Sequence, residues 1–406
     1  MAVMIAARIN GRVIADANDS SKAEALAESA IEYALQTIAN DPNWRADYPN
    51  ALPIGPLNLG DGAISFTIVD DIDGNLTNNT YDSIRIYGTG TVRNARKIYS
   101  VRCTTKTPLD CLQTAVSIGG PVSFTGTTLS GAASALFASN TGISANSVTF
   151  SGGLVLSAPA NTVTINAPAG STPAIVTGTR QLPDPAHAFD YYLANATAIS
   201  ISALPISNGN SMLQLAVLSP ASNPFGQAVN PQGIYVIDCQ GQTLQIANMR
   251  IVGTLIVLNP GPGSGVFQSN YIAPAVANFP SLLVRGDFTL AASISNLVDN
   301  AATGNAQTPA VNYNPPGTPY LGTSDTTCTT AYPSRIDGIL YISGNVAATN
   351  SPSINGVLIA NGSFTQTGGS LTLSPGTSVT ANPPPGFTSQ VVVPMGGTWQ
   401  WEKGTE

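Results

Sequence analysis

Apolar residues recur along the first forty positions at steps of three and four: Ile9, Val13, Ala17, then Ala23, Ala27, Ala30, Ile31, Ala34 and Ile38. That is the spacing of one face of an α-helix. The run SSKAEALAESAIEYALQTIA is built from strong helix formers. The pattern predicts a helix over residues 1 to about 39, with a local cap and break near Ser20 or Ser21. Asn40-Asp41-Pro42 stops it, because Pro42 cannot continue a helix and restricts the residue before it. The stripe is thin and Ala-rich, which suits close packing against a sheet or against another helix.

From about residue 62 the period changes to two. AISFTIVD (63–70), DSIRIYGTG (82–90) and RKIYSVRCTT (96–105) alternate apolar and polar positions. They read as three half-buried strands of an antiparallel meander. After Pro108 the strands shorten, and Gly, Ser, Thr, Asn and Pro interrupt them every few residues. IDGILYISGNV (336–346) and INGVLIANGSF (354–364) align at a spacing of 18, with Ile, Gly and Leu in step. LLVRGDFTL (282–290) echoes LIANGSFTQ (358–366), and IVGTLIVLN (251–259) echoes IDGILYISG. Short strands with glycine corners at a fixed period predict a stacked coil in which neighbouring turns bury a shared core. Segments 170–230 and 295–333 lose the period and read as insertions, loops or a cap, with a short helix in PDPAHAFDYYLANAT (183–197).

The fold class is therefore mainly β: a long N-terminal helix (1–40), a small antiparallel sheet (41–107) and a parallel β-helix-like domain with insertions (108–406). Composition agrees. Charged residues make up 9% of the chain, against about 25% in ordinary domains. A hydrophobic content of 43% and a net charge of −7 over 406 residues exclude a disordered chain. No basic cluster could neutralise a nucleic-acid backbone; RNARK (93–97) reads as a hairpin turn. No apolar run is long enough to span a membrane, and MAVMIAA reads either as the start of a soluble chain or as the end of a longer apolar segment.

Candidate chemistry is sparse, and no catalytic residue, metal site or cofactor is expected. Cys103, Cys111, Cys239 and Cys328 form no CxxC, and a single histidine cannot complete a Cys/His zinc site. Cys103 and Cys111 lie close enough in sequence for a disulfide, which would suit an environment outside the cytosol. His187 lacks a nucleophile motif to serve and reads as a surface residue. Asp71, Asp73, Asn75 and Asp82 have the 1-3-5-12 spacing of a calcium loop, but Leu76 stands where the sharp turn needs glycine. They read instead as an Asp/Asn/Gly hairpin loop. Asp184, Asp190, Asp238 and Asp287 are dispersed in sequence. Tyr191, Tyr192, Trp399 and Trp401 suit packing more than sugar stacking, and NPPPGF reads as a stop after the last coil.

AEALAESAIEYALQTI (23–38) resembles the helix of type IV pilin-like proteins, in particular PilX-type minor pilins and pseudopilins. GTGTVRNARKIYSVRC (88–103) resembles the sheet that follows it. The resemblance covers roughly residues 1–105. It implies an apolar N-terminal half-helix, processed by a prepilin peptidase, that anchors the full-length protein in the inner membrane. It also implies a helix that packs against other pilin-like subunits, and a location in the cell envelope or outside the cell. The assembly face would be Ile9, Val13, Ala17, Ala27, Ile31 and Ala34, although the same stripe could equally pack on the chain's own sheet. The expected function is a structural or adhesive subunit of a type IV pilus or a type II secretion-like filament, with surface glycans as further partners. The alternative is a carbohydrate-binding or carbohydrate-cleaving β-helix of the cell surface.

Overall fold

The computed structural model describes residues 2–406 except 42, 79–81, 105–107, 133–134, 227, 300–310, 377–378, 389–391 and 403–406. The chain divides into two units, Met1–Thr107 with Thr388–Glu406, and Pro108–Phe387. The protein is mainly β, with a long N-terminal helix, an antiparallel sheet and a large stack of parallel strands.

In the first unit, helix α1 runs unbroken over Ala2–Asn40. The expected break at Ser20–Ser21 is absent, and Pro42, the expected stop, lies outside the described residues. Four antiparallel strands follow: β1 (Pro53–Leu59), β2 (Gly62–Asp70), β3 (Ile84–Val92) and β4 (Ala95–Thr104). The last three are the expected meander. β1 escapes the alternation pattern because PIGPLNL carries two prolines and is exposed along almost its whole length. α1 lies on the face of the sheet where Phe66, Ile68, Ile84, Ile86 and Val101 point, and its residues Ile31, Ala34 and Ile38 complete that core. Each large apolar side chain so buried contributes roughly 1.5–3 kcal/mol. Gly88 and Gly90 of β3 lie directly beneath the backbone of Ala27 and Ala23. Small residues on both surfaces let helix and strand approach closely.

The C-terminal tail corrects the expected domain boundary. Val393–Pro394 and Gln400–Glu402 both pair antiparallel with β4, so these tail strands belong to this sheet and not to the coil. Trp401 packs edge-on against Tyr99, with ring centroids 5.3 Å apart, and under the Lys97 ammonium at 4.1 Å.

The second unit is a coil of short parallel strands around a continuous apolar core. The two segments that align in sequence are adjacent turns: Ile336 pairs with Ile354, Gly338 with Gly356 and Leu340 with Leu358. Gly356 has φ +152, and a Cβ there would collide with the carbonyl of Gly338 below it. The glycine recurs because each turn makes the same left-handed step against the turn beneath.

The order of turns is not the order of sequence. One wall of the stack runs through Ile234–Asp238, Thr254–Leu258, Pro280–Arg285, Arg335–Ile342 and Ser353–Ala360. It then continues into Val116–Ile118, Leu136–Ser139, Val155–Ala158 and Ala174–Thr177. The chain thus enters mid-stack, builds one half outward, crosses to the far end at Thr197–Ala198, and winds back to where it began. Its two ends meet there, with the Leu109 amide donating to the Phe387 carbonyl at 3.1 Å. Part of the expected insertion 170–230 is a regular turn, since Asn210–Leu218 pairs with Leu244–Val252. The described part of 295–333 makes no strand pairing with the stack, Leu297–Val298 pairing only with Ala331–Tyr332. It is held by the buried Arg250, whose guanidinium donates to the carbonyls of Tyr313, Thr318 and Pro319.

Candidate assembly surface

The expected assembly face of α1 is divided by what the sheet covers. Ala27, Ile31 and Ala34 are fully buried against the chain's own sheet and are unavailable to a neighbour. This corrects their place in the expected contact face. Ile9, Val13 and Ala17 are exposed, and Met4, Ile5 and Ile14 with them. Met4 is 78% exposed, Ile14 70%, Val13 60% and Ile9 55%. The first half of α1 therefore presents an apolar stripe that no described part of the chain covers.

Charge is segregated along the same helix. Arg8 and Arg12 flank the exposed stripe and make no ion pair among the described residues. Further along, Asp19 pairs with Arg93 at 3.2 Å and Lys22 with Asp61 at 3.0 Å. Glu24 accepts the Tyr99 hydroxyl at 2.6 Å. That hydrogen bond, with desolvation behind it, pushes the phenol up to about 12. Glu28 and Glu32, on the same stripe, are exposed and have no cation beside them among the described residues. They line an open groove of about 1210 Å³ along the second half of α1, together with Ser29, Tyr33, Leu57 and Leu59.

The other sequence candidates resolve as follows. Cys103 and Cys111 are both free and buried, each in the core of a different unit, so the disulfide is not formed. Burial pushes the thiols of Cys103 and Cys239 up to about 12, and raises Cys111 in the same direction. The calcium-loop set does not gather, because Asp71 ion-pairs with Arg85 at 3.3 Å and Arg102 at 3.2 Å. Instead Asp70, Asp73 and Asp82 each bring one oxygen within 4.8 Å of the others. Arg45 stands against that group, 4.0 Å from Asp70 Oδ2, and donates to the carbonyls of Leu76 and Asp82 at 3.1 and 2.7 Å. Asp73 Oδ1 accepts the Asn75 amide at 3.0 Å. A resident guanidinium and local Asx turns account for the cluster.

His187 is exposed on the turn before the helix Asp190–Ala194, 3.0 Å from Asp190 and 3.9 Å from Asp184. Tyr191 and Tyr192 pack on Phe279, and the Tyr192 hydroxyl donates to the Pro385 carbonyl at 3.1 Å. The NPPPGF segment therefore closes the side of the coil, as a stop should. Asp287 is not isolated. It accepts the backbone and side-chain amides of Asn345 at 2.7 and 3.1 Å, and Asn345 in turn accepts the amide and hydroxyl of Ser363 at 2.9 and 2.8 Å. This ladder, with Thr289 and Thr365, lines a groove of about 370 Å³ on the coil that no Lys, Arg or His enters. Sequence reasoning missed it because its members come from three different turns.

No helix among the described residues is long and apolar enough to cross a membrane. No protein-family model matches the chain, and no curated protein matches it. The crystal structure of the competence-associated pilin ComZ from Thermus thermophilus aligns with 95% of this chain and 97% of its own, at 11% identity. Its TM-score is 0.33, and a likeness at that level carries no argument about fold or role.

Proposed function

We propose that this chain is a structural subunit of a type IV pilin-like filament or a related secretion pseudopilus, of the minor, PilX-like kind. The observation that carries the reading is the divided helix. One half of α1 is seated on its own antiparallel sheet, and the other half holds an apolar stripe in solvent. Exposed contiguous apolar surface of this kind marks an interaction site. Covering it releases roughly 25 cal/mol per Å², less the cost of association. In this reading the helix assembles with other subunits, continues in the native protein into an inner-membrane anchor, and carries the coil outward for display. The work is assembly and contact, with no covalent chemistry.

The Asp287–Asn345–Ser363 groove favours surface glycans as what the displayed coil touches. Its lining of hydroxyls, one amide and one carboxylate suits a neutral polyhydroxyl ligand. Two measurements test the main reading. Filaments sheared from native cells should contain the protein, and its mature N-terminal peptide, mapped by mass spectrometry, should begin in an apolar run ahead of Met1. A protein absent from the sheared fraction, with a mature start at Met1, would sink the proposal.

A further inference from the structure

One half of the coil carries no charge. Residues 111–179 and 338–387 build its neighbouring turns and contain no Asp, Glu, Lys, Arg or His. An ordinary domain of that length would hold about thirty charged residues, and surface charge is what keeps a domain soluble. The walls of this half also differ from one another. One presents Tyr341, Val357 and Ile359 outward, where Phe189, Tyr192 and Phe387 pack with them. The other two present hydroxyls and amides. On the second wall TQT (365–367), SFT (123–125), SAN (144–146) and TIN (164–166) pair residue on residue with no shift of register. On the third, SLT (370–372), TLS (128–130) and TFS (149–151) do the same. In each of these turns the middle residue is turned into the coil, and the two beside it face outward, exposed or half-buried.

The result is a two-dimensional lattice of small polar groups, repeating at about 4.8 Å from turn to turn and about 6.7 Å along each strand. Strand propensity explains the threonines. It does not explain the asparagines, which strands disfavour, or the absence from these outward positions of the aromatic residues that strands favour. The lattice is also held in place. β-Branched threonines are stiff about χ1, and the Asn166 side-chain amide donates to that of Asn146 in the next turn at 2.9 Å. A rigid uncharged lattice is complementary to another rigid uncharged lattice. A charged partner would be met by opposite charge, and a small soluble ligand by a concave apolar or aromatic site; these walls offer neither. Ice presents oxygens that repeat in two dimensions at distances of this size, each able to donate or accept a hydrogen bond, as a hydroxyl or amide can. We infer that these two walls of the coil bind the surface of ice. No single contact is strong, and the binding comes from many made at once. The inference goes beyond the pilin-like reading and does not depend on it.

Ice partitioning tests this on the full chain. Ice is grown slowly from a dilute solution of the protein, and the fraction taken into the solid is compared with that of an inert globular protein, which the front excludes. The expected result is enrichment in the ice, with a gap between the melting and freezing points of seed crystals. Ser144→Lys and Thr367→Lys each set a long hydrated cation within the lattice and should each lower the retained fraction roughly tenfold. Thr326→Lys, exposed but outside both walls, should leave it unchanged. Unfolding midpoints by circular dichroism that match the parent's show the variants to be folded, and either lattice variant alone suffices. Exclusion of the parent from ice overturns the inference, as does retention indifferent to the lattice lysines. Adsorption to insoluble cellulose or chitin with exclusion from ice overturns it in favour of a glycan-binding wall. A protein retained in ice but absent from sheared filaments keeps this inference and loses the pilin-like reading.

Discussion

The close seat of α1 on β3 makes a prediction whose sign runs against ordinary propensity. In the interior of a strand, glycine is roughly 0.5–1 kcal/mol worse than alanine, so Gly88→Ala would stabilise a strand with open space above it. Here the added Cβ would press on the Ala27 carbonyl oxygen and lie 2.7 Å from Ile31 Cγ1. That is close to an ångström short of the ~3.5 Å at which non-bonded contacts are favourable. The carbonyl belongs to helix backbone and cannot rotate away, so α1 must lift and loosen Ile31 and Ala34 from the core. Overpacking of this kind costs about 1–3 kcal/mol, which outweighs the propensity gain. All three tryptophans, Trp44, Trp399 and Trp401, lie in the first unit, so urea unfolding followed by tryptophan fluorescence reports that unit alone. Gly88→Ala should lower the midpoint, whereas Thr89→Ala, whose side chain faces the other way, should move it little. A midpoint for Gly88→Ala equal to or above that of the parent would refute the helix seat described here.

Arg250→Met should strip three carbonyls, those of Tyr313 and Thr318 buried, of their donor and remove a cation held 5.5 and 5.8 Å from the rings of Tyr320 and Tyr332. A loss of about 1–3 kcal/mol is expected, read as faster proteolysis within 311–333 and a lower unfolding midpoint of the second unit. Thiol titration at pH 8 should find one ready group, Cys328, and four in denaturant, because the thiolate is the reactive form and burial keeps the other thiols protonated. The linkage has a definite sign. With the native thiols of Cys103 and Cys239 raised to about 12, their contribution is fully present below the unfolded thiol's range. It is lost as pH climbs from about 9 to about 12, and stability measured across that window should fall. Replacing 108–387 by a short flexible linker should leave a first unit that unfolds cooperatively with native tryptophan emission; a molten product would contradict its independence.

Much of this was legible because local pattern and final environment agree. The alternation in β2 and β3 survives in burial position by position, and in β4 it is blurred where the tail strand covers Ser100 and Tyr99. The 18-residue repeat appears where two turns follow without an insertion, and it vanishes where 295–333 intervenes, although Leu282 and Leu340 are still neighbours in the stack. What could not be read depends on partners distant in sequence. Ile9 and Ile31 belong to one stripe with one chemistry, and only the extent of the sheet separates an exposed residue from a core one. Cys103 and Cys111 are near in sequence, but the unit boundary falls between them. Asp287, Asn345 and Ser363 become a ladder only when three turns stack.

The tail strands explain why the chain is ordered as it is. Val393 pairs with Thr104 and Pro394 with Cys103, so the sheet of the first unit resumes at the place where the chain left it. Between those points lies the whole coil, whose own ends meet at Leu109 and Phe387. A domain with adjacent termini can be inserted into a sheet without prising its strands apart. A coil wound monotonically from one end to the other would place its termini at opposite ends of the stack. Starting mid-stack, building outward and returning from the far side removes that separation. It also requires the seam between Ser353–Ala360 and Val116–Ile118 to pair as well as any consecutive turns, and Leu358 on Val116 and Phe364 on Val122 show the same parallel register there. The out-of-order stack is thus what allows a long coil to be carried by a small helix-and-sheet unit that keeps its own closed core.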